Sequence, residues 1–188
     1  TLMLEGGWRT RGGPDVSPDG SRVAFSEGDG TYYQILIFDR GRSETTPLTD
    51  TRGYNYDAAW SPDGTQIAYV SDRYGRHQIY VINADGTGRR RLTSGGNDEF
   101  CPSWSPDGES IAFVVIPWNP YPDPSHPRVH IASADGTGER LLVDVPGVEQ
   151  CVNWSPDGSR IALTVSALYG EEGTSTGIYL ANGDGSDL

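Results

Sequence analysis

The chain has 188 residues, with 14 basic against 26 acidic side chains and a net charge of -12, and every basic residue is arginine. With no lysine present, a P-loop lysine, a pyridoxal Schiff base and a lysine general base are excluded. The acidic balance also argues against the cationic track that nucleic acid or an anionic membrane surface requires. Glycine (25) and proline (13) are abundant while apolar residues make only 35%, the composition of a turn-dense all-β chain, and no apolar run is long enough for membrane insertion. The opening Thr1-Leu2-Met3-Leu4 has neither an initiator methionine nor a signal-peptide pattern, as expected of a mature or excised N-terminus.

An internal repeat organises the chain. Ser-Pro-Asp-Gly stands at 17–20, 61–64, 105–108 and 155–158, at intervals of 44, 44 and 50 residues. Trp60, Trp104 and Trp154 precede three copies, and Val16 precedes the first. A short apolar strand follows each copy, at 22–26, 66–71, 110–114 and 160–164; another follows at 34–38, 78–82, 128–131 and 177–180. Asp-Gly turns then recur at Asp85-Gly86, Asp135-Gly136 and Asp184-Gly185, and a last strand ends near Leu48, Leu92 and Leu142. Proline presets φ at the first turn position, aspartate bonds its own backbone, and glycine accepts the conformation that closes the hairpin. β-Branched and aromatic residues fill the strands. Four short antiparallel strands per period of about 45 residues predict β-propeller blades. The predicted blades run over about 10–49, 54–93, 98–143 and 148–188.

These residues resemble the TolB-like Pro-Asp β-propeller repeat, with its W-S-P-D-G turn, I-A-F and I-Y-V strands and D-G turn. The first unit departs from the pattern, with Val16 for tryptophan and Asp39-Arg40-Gly41 at the second turn. The resemblance implies an all-β propeller with four blades' worth of repeats. It points to protein-interaction propellers of the periplasm or to propellers that gate peptidases, and favours a periplasmic or extracellular location. Leu4 lies 13 residues before Ser17, as Leu48, Leu92 and Leu142 lie before their own motif serines. Residues 1–5 are therefore predicted to supply the fourth strand of the last blade. Three arrangements satisfy this: a closed four-bladed ring, two chains sharing end strands in an eight-bladed homodimer, or part of a longer propeller.

In such a blade the motif turns share one face, and the irregular loops share the other. Tyr32, Tyr33, Tyr54, Tyr56, Tyr74, Tyr121 and Tyr169 fall in or beside the irregular segments, and so does Trp118. Five prolines stiffen the segment 116–127. Aromatic side chains on loops over a rigid scaffold suit a binding surface. Trp118, Tyr121, Tyr74, Arg73, Tyr32, Tyr33 and Tyr169 are accordingly the candidate contacts for a protein or peptide partner.

Candidate chemistry is sparse. Gly173-Thr-Ser-Thr-Gly177 matches a nucleophile-elbow string but precedes a strand rather than a helix. His77, His126 and His130 lack zinc-ligand spacing. Asn83-Ala-Asp-Gly and Asn182-Gly-Asp-Gly echo calcium loops, yet hairpin turns account for them. Arg11, Asn55, Glu99 and Glu149 stand six residues before the motif serines, with Asp57 two further on in its unit, and these five are expected at the mouth of the axial channel. No cofactor is expected and no catalytic residues are assigned: pairing of the glutamates with Arg11 or water accounts for the carboxylates, with a bound calcium ion as the alternative. Cys101 and Cys151 occupy equivalent repeat positions and are expected as buried thiols, with a disulfide as the alternative.

Overall fold

Short runs of isoleucine, valine and aromatic residues, cut at regular intervals by proline and glycine, leave the chain little choice but a series of meanders. The computed structural model describes residues 11–50, 52–118, 127–144, 148–165 and 177–187. Strands β1 (Asp15–Val16), β2 (Arg22–Gly28), β3 (Tyr33–Asp39) and β4 (Glu44–Pro47) form the first antiparallel sheet. The second holds β5 (Asn55–Trp60), β6 (Gln66–Ser71), β7 (Gln78–Asn83) and β8 (Arg90–Arg91). The third holds β9 (Asp98–Trp104), β10 (Ser110–Ile116), β11 (Arg128–Ser133) and β12 (Arg140–Val143). The fourth holds β13 (Val148–Trp154), β14 (Arg160–Val165) and β15 (Gly177–Asn182). Among the described residues there is no helix.

Each sheet packs face to face on the next in chain order. Ile35, Ile37, Trp60 and Tyr69 join the first to the second. Val70, Ile79, Trp104 and Phe113 join the second to the third, and Val129, Ile131, Val152 and Leu163 join the third to the fourth. Middle strands are thus covered on both faces, which explains continuous apolar runs such as Ile79–Ile82 in place of a strict in-out alternation. Among the described residues the sheets form an open series and not a closed ring. At one end Val16 is exposed; at the other, β15 leaves Ile178, Tyr179 and Leu180 exposed. The predicted closing strand at 1–5 lies outside the described residues.

The motif turn is the same device four times. Ser61 Oγ donates to Asp63 Oδ1 at 2.6 Å, the Thr65 N–H donates to the same oxygen at 3.0 Å, and the Gln66 N–H donates back to Ser61 Oγ at 2.9 Å. Equivalent bonds close the turns at Asp19, Asp107 and Asp157. Successive turns also stack. A Cβ placed on Gly64 would lie 3.5 Å from the Pro18 ring, and Gly108 and Gly158 face Pro62 and Pro106 in the same way.

The innermost strands β5 and β9 each carry a β-bulge, at a register shift between Tyr56 and Ala59 in one and opposite Ala112 and Val114 in the other. Asp57 (φ 53°) and Cys101 (φ 52°) take left-handed backbone there. Such a residue breaks the two-residue alternation of a strand and re-aims its side chain.

Candidate interaction face and axial cleft

The re-aimed side chains meet in a cleft of about 340 Å³ along the inner edges of the sheets, lined among others by Gly13, Asp15, Asp57, Cys101, Cys151 and Asn153. Cys101 and Cys151 are joined in a disulfide with Cα atoms 5.0 Å apart, so the expectation of free thiols is corrected. Inner strands of adjacent blades converge, and the bulge at Cys101 brings its sulfur to the shared edge. Asp57 Oδ2 lies 3.7 Å from Cys101 Sγ. Burial raises the Asp57 carboxyl above its ordinary value, against the lowering effects of the Cys101 N–H that it accepts and of the Arg11 guanidinium. Burial likewise raises Asp15, whose carboxylate accepts the Trp60 N–H at 2.7 Å. Arg11 itself is exposed and lies over the Tyr56 ring at 4.2 Å.

Asn55 and Glu99 do not line this cleft, contrary to their expected place at a channel mouth. They stand before the bulge, so their side chains leave the strand on a different side from Asp57. Asn55 is fully buried, and its Nδ2 donates to the carbonyls of Tyr33 at 3.1 Å and of Asp50, Arg52 and Gly53 at 3.3 Å. It ties the loop between β4 and β5 to the start of β3. Glu99, 1% exposed, accepts the Thr93 hydroxyl, while its N–H donates to the His77 carbonyl at 2.8 Å. Burial pushes its carboxyl up to about 7. Glu149 belongs to β13, and its side chain lies outside the described residues.

The irregular loops between second and third strands meet the loops between successive sheets on one face. Tyr54 N–H donates to Asp72 Oδ1 at 2.7 Å, and Trp118 N–H donates to Asn97 Oδ1 at 3.3 Å. Tyr74 (74%) and Trp118 (65%) are strongly exposed on this face. Tyr32 is half-buried. Tyr33 instead belongs to the core, its ring 5.7 Å from that of Tyr54, and the Arg73 side chain is largely buried in an ion pair with Asp50. Tyr121 and Tyr169 lie outside the described residues, as does most of the 173–177 string; Gly177 opens β15. Arg76 is a residue that the sequence reading passed over. Its guanidinium lies 4.0 Å from the centroid of the Trp118 ring. Nothing in the spacing of a loop predicts that partnership, because it joins two different sheets.

The histidines are engaged separately. His77 Nδ1 is 3.4 Å from Asp98 and its ring packs on Phe100, whereas His130 Nδ1 is 3.1 Å from Glu139; His126 lies outside the described residues. Asp85 and Asp184 spend their oxygens on the hydroxyl and N–H of Thr87 and Ser186, as hairpin turns do.

Comparison with known proteins follows the architecture. The TolB beta propeller domain family matches residues 8–119. The fold superimposes on the putative TolB of Agrobacterium tumefaciens (TM-score 0.71, 26% identity, 97% of this chain and 60% of that one). It also superimposes on TolB of Acinetobacter baumannii (TM-score 0.77, 25% identity, 94% of this chain and 41% of that one). This chain therefore spans less than two thirds of the length of either. An oligogalacturonate lyase of Vibrio parahaemolyticus shares the fold at 12% identity (TM-score 0.69, 92% of this chain and 49% of that one). No curated protein matches the chain in sequence. With the motif turns, the four meanders and the family match in agreement, the chain belongs to the TolB β-propeller domain family.

Proposed function

We propose that the chain is a non-catalytic interaction scaffold that binds a protein or peptide partner through its irregular loop face. The observation that carries this reading is the exposure of Trp118 and Tyr74 on loops anchored to buried strands. A preformed aromatic surface loses little conformational freedom on docking, so its contact area converts efficiently into affinity. The reading assigns no catalytic group and needs no cofactor; the carboxyl of Glu99 is committed to Thr93 and Asp57 to the Cys101 N–H. Panning a random peptide library on the wild-type chain and on Trp118→Ala/Tyr74→Ala tests it. Peptides that bind the wild type and lose about tenfold or more in affinity on the variant, at unchanged melting temperature, support it; equal affinity for both would refute it.

A second reading, self-association into a larger ring, is favoured by the exposed Ile178 and Leu180 on β15 and Val16 on β1. Light scattering behind a sizing column tests it, since association doubles the 20.4 kDa mass. A monomer across the accessible concentration range would exclude it.

A further inference from the structure

Arg76 is an unusual cation for this molecule. In a chain of net charge -12, Arg73 and Arg89 have both found a carboxylate in Asp50, and Arg128 one in Asp144. Arg76 has not. Among the described residues it makes neither an ion pair nor a hydrogen bond, and its Nη1 is buried without a partner. A guanidinium held this way keeps its full demand for acceptors, because partial burial has removed water from one edge and supplied nothing in exchange. What holds it in place is the face of Trp118 at 4.0 Å. Stacking on an indole orients a guanidinium without neutralising it, and uses up none of its N–H donors.

The surroundings are preset. Trp118 is tied by its own N–H to Asn97, in the loop that leads into β9, while Arg76 comes from the loop before β7. The pair therefore bridges the second and third sheets. Trp118 remains 65% exposed even with Arg76 on its ring, so indole surface is left for a ligand.

We infer that Arg76 and Trp118 form a carboxylate-reading site for an acidic peptide segment. The Asp or Glu carboxylate of the ligand pairs with the Arg76 guanidinium, and the residue beside it packs on the outer surface of Trp118. Charge complementarity commits the site to this occupant: a half-buried guanidinium with no carboxylate of its own attracts an anion and repels other cations. The inference rests on the reading of the loop face as an interaction surface and names the chemistry of its partner.

The test uses the complete chain and a phage-displayed library of random peptides, with enriched sequences resynthesised and titrated by fluorescence anisotropy. Enriched peptides are expected to carry Asp or Glu. Arg76→Gln should weaken them by about tenfold or more, with Arg76→Lys in between because the planar fork is lost. Replacing the peptide's acidic residue by its amide should cost affinity for the wild type but not for Arg76→Gln. That amide substitution carries the test should Arg76→Gln fail to fold. Enriched peptides without acidic residues, or acidic peptides indifferent to Arg76→Gln, overturn the assignment. Peptides that lose affinity in Trp118→Ala/Tyr74→Ala but not in Arg76→Gln overturn this site while leaving the interaction face standing. Absence of any enrichment overturns both.

Discussion

The turn face and the loop face are carried by the same strands yet obey different rules. On the turn face, Asp19, Asp63, Asp107 and Asp157 repeat one set of bonds to a serine hydroxyl two residues back and an N–H two residues on. Those bonds favour the ionised form, so all four carboxyls sit below their ordinary value, Asp19 and Asp157 at about 2. On the loop face, equivalent positions diverge. Asn55 gathers four carbonyls, whereas Glu99 takes the Thr93 hydroxyl and the Ile79 N–H, and burial raises its carboxyl to about 7. A group that bonds within its own turn can be copied unchanged. A group that must bond to whatever the neighbouring loop presents cannot, and that freedom is where recognition enters.

The largest expected effect lies where neither rule holds, at the equivalent positions Asp57, Cys101 and Cys151. Cys101→Ser with Cys151→Ser removes a cross-link spanning 50 residues, and chain-entropy reasoning puts the loss at roughly 4 kcal/mol. Urea unfolding of the oxidised and serine forms measures it; coincident transitions would show that packing on the third sheet alone holds the fourth. A glycine pair then separates the faces directly. Gly136 and Gly75 have nearly the same φ, 91° and 92°, but a Cβ on Gly136 would lie 2.8 Å from the Leu92 carbonyl oxygen, whereas Gly75 has nothing within 4 Å. Gly136→Ala should cost about 3 kcal/mol and Gly75→Ala about 1 kcal/mol. Equal losses would erase the distinction between a stacked turn and an open loop.

Acidity offers a third contrast. The turn carboxylates have depressed native values, so they contribute stability above about pH 4 that is lost as the pH falls toward 2. Glu99 has the opposite sign. Its native value of about 7 exceeds the ordinary 4.5, so its contribution is complete below pH 4.5 and is lost as the pH rises through 7. Glu99→Gln should therefore come close to the wild type near pH 4.5 and exceed it by about 3 kcal/mol at pH 8. A constant difference across that range would contradict this account. The smallest expected change is Trp118→Ala, within about 0.5 kcal/mol in stability because the side chain is exposed; calorimetry reads it, and a marked drop in melting temperature would make Trp118 a structural residue.

Much of the fold was legible because a propeller writes its architecture four times. Trp60, Pro62, Asp63 and Gly64 announce a turn whose bonds are entirely local, and local bonds are what a sequence displays. The cleft was less legible. Counting residues back from each motif serine assigned Asn55, Asp57 and Glu99 to one place, since strand alternation puts residues two apart on the same side. The bulges at Asp57 and Cys101 break that alternation, and a left-handed aspartate or cysteine has no composition signal as glycine does. The disulfide was visible as an equivalence of positions but not as a distance. Arg76 was hidden for a related reason: its partner Trp118 lies in a neighbouring sheet, and a cation–π pair between loops leaves no periodicity.

The seating of Gly64, Gly108 and Gly158 on the proline of the turn before each has an evolutionary consequence. The contact runs in one direction, donor surface of one unit to acceptor surface of the next, so it carries no instruction about how many units to join. A gene that duplicates one such unit in frame gains a blade that already fits both neighbours. Lineages can therefore lengthen or shorten the array without redesigning a single junction, and selection is left to act on the loops at the opposite end of the strands.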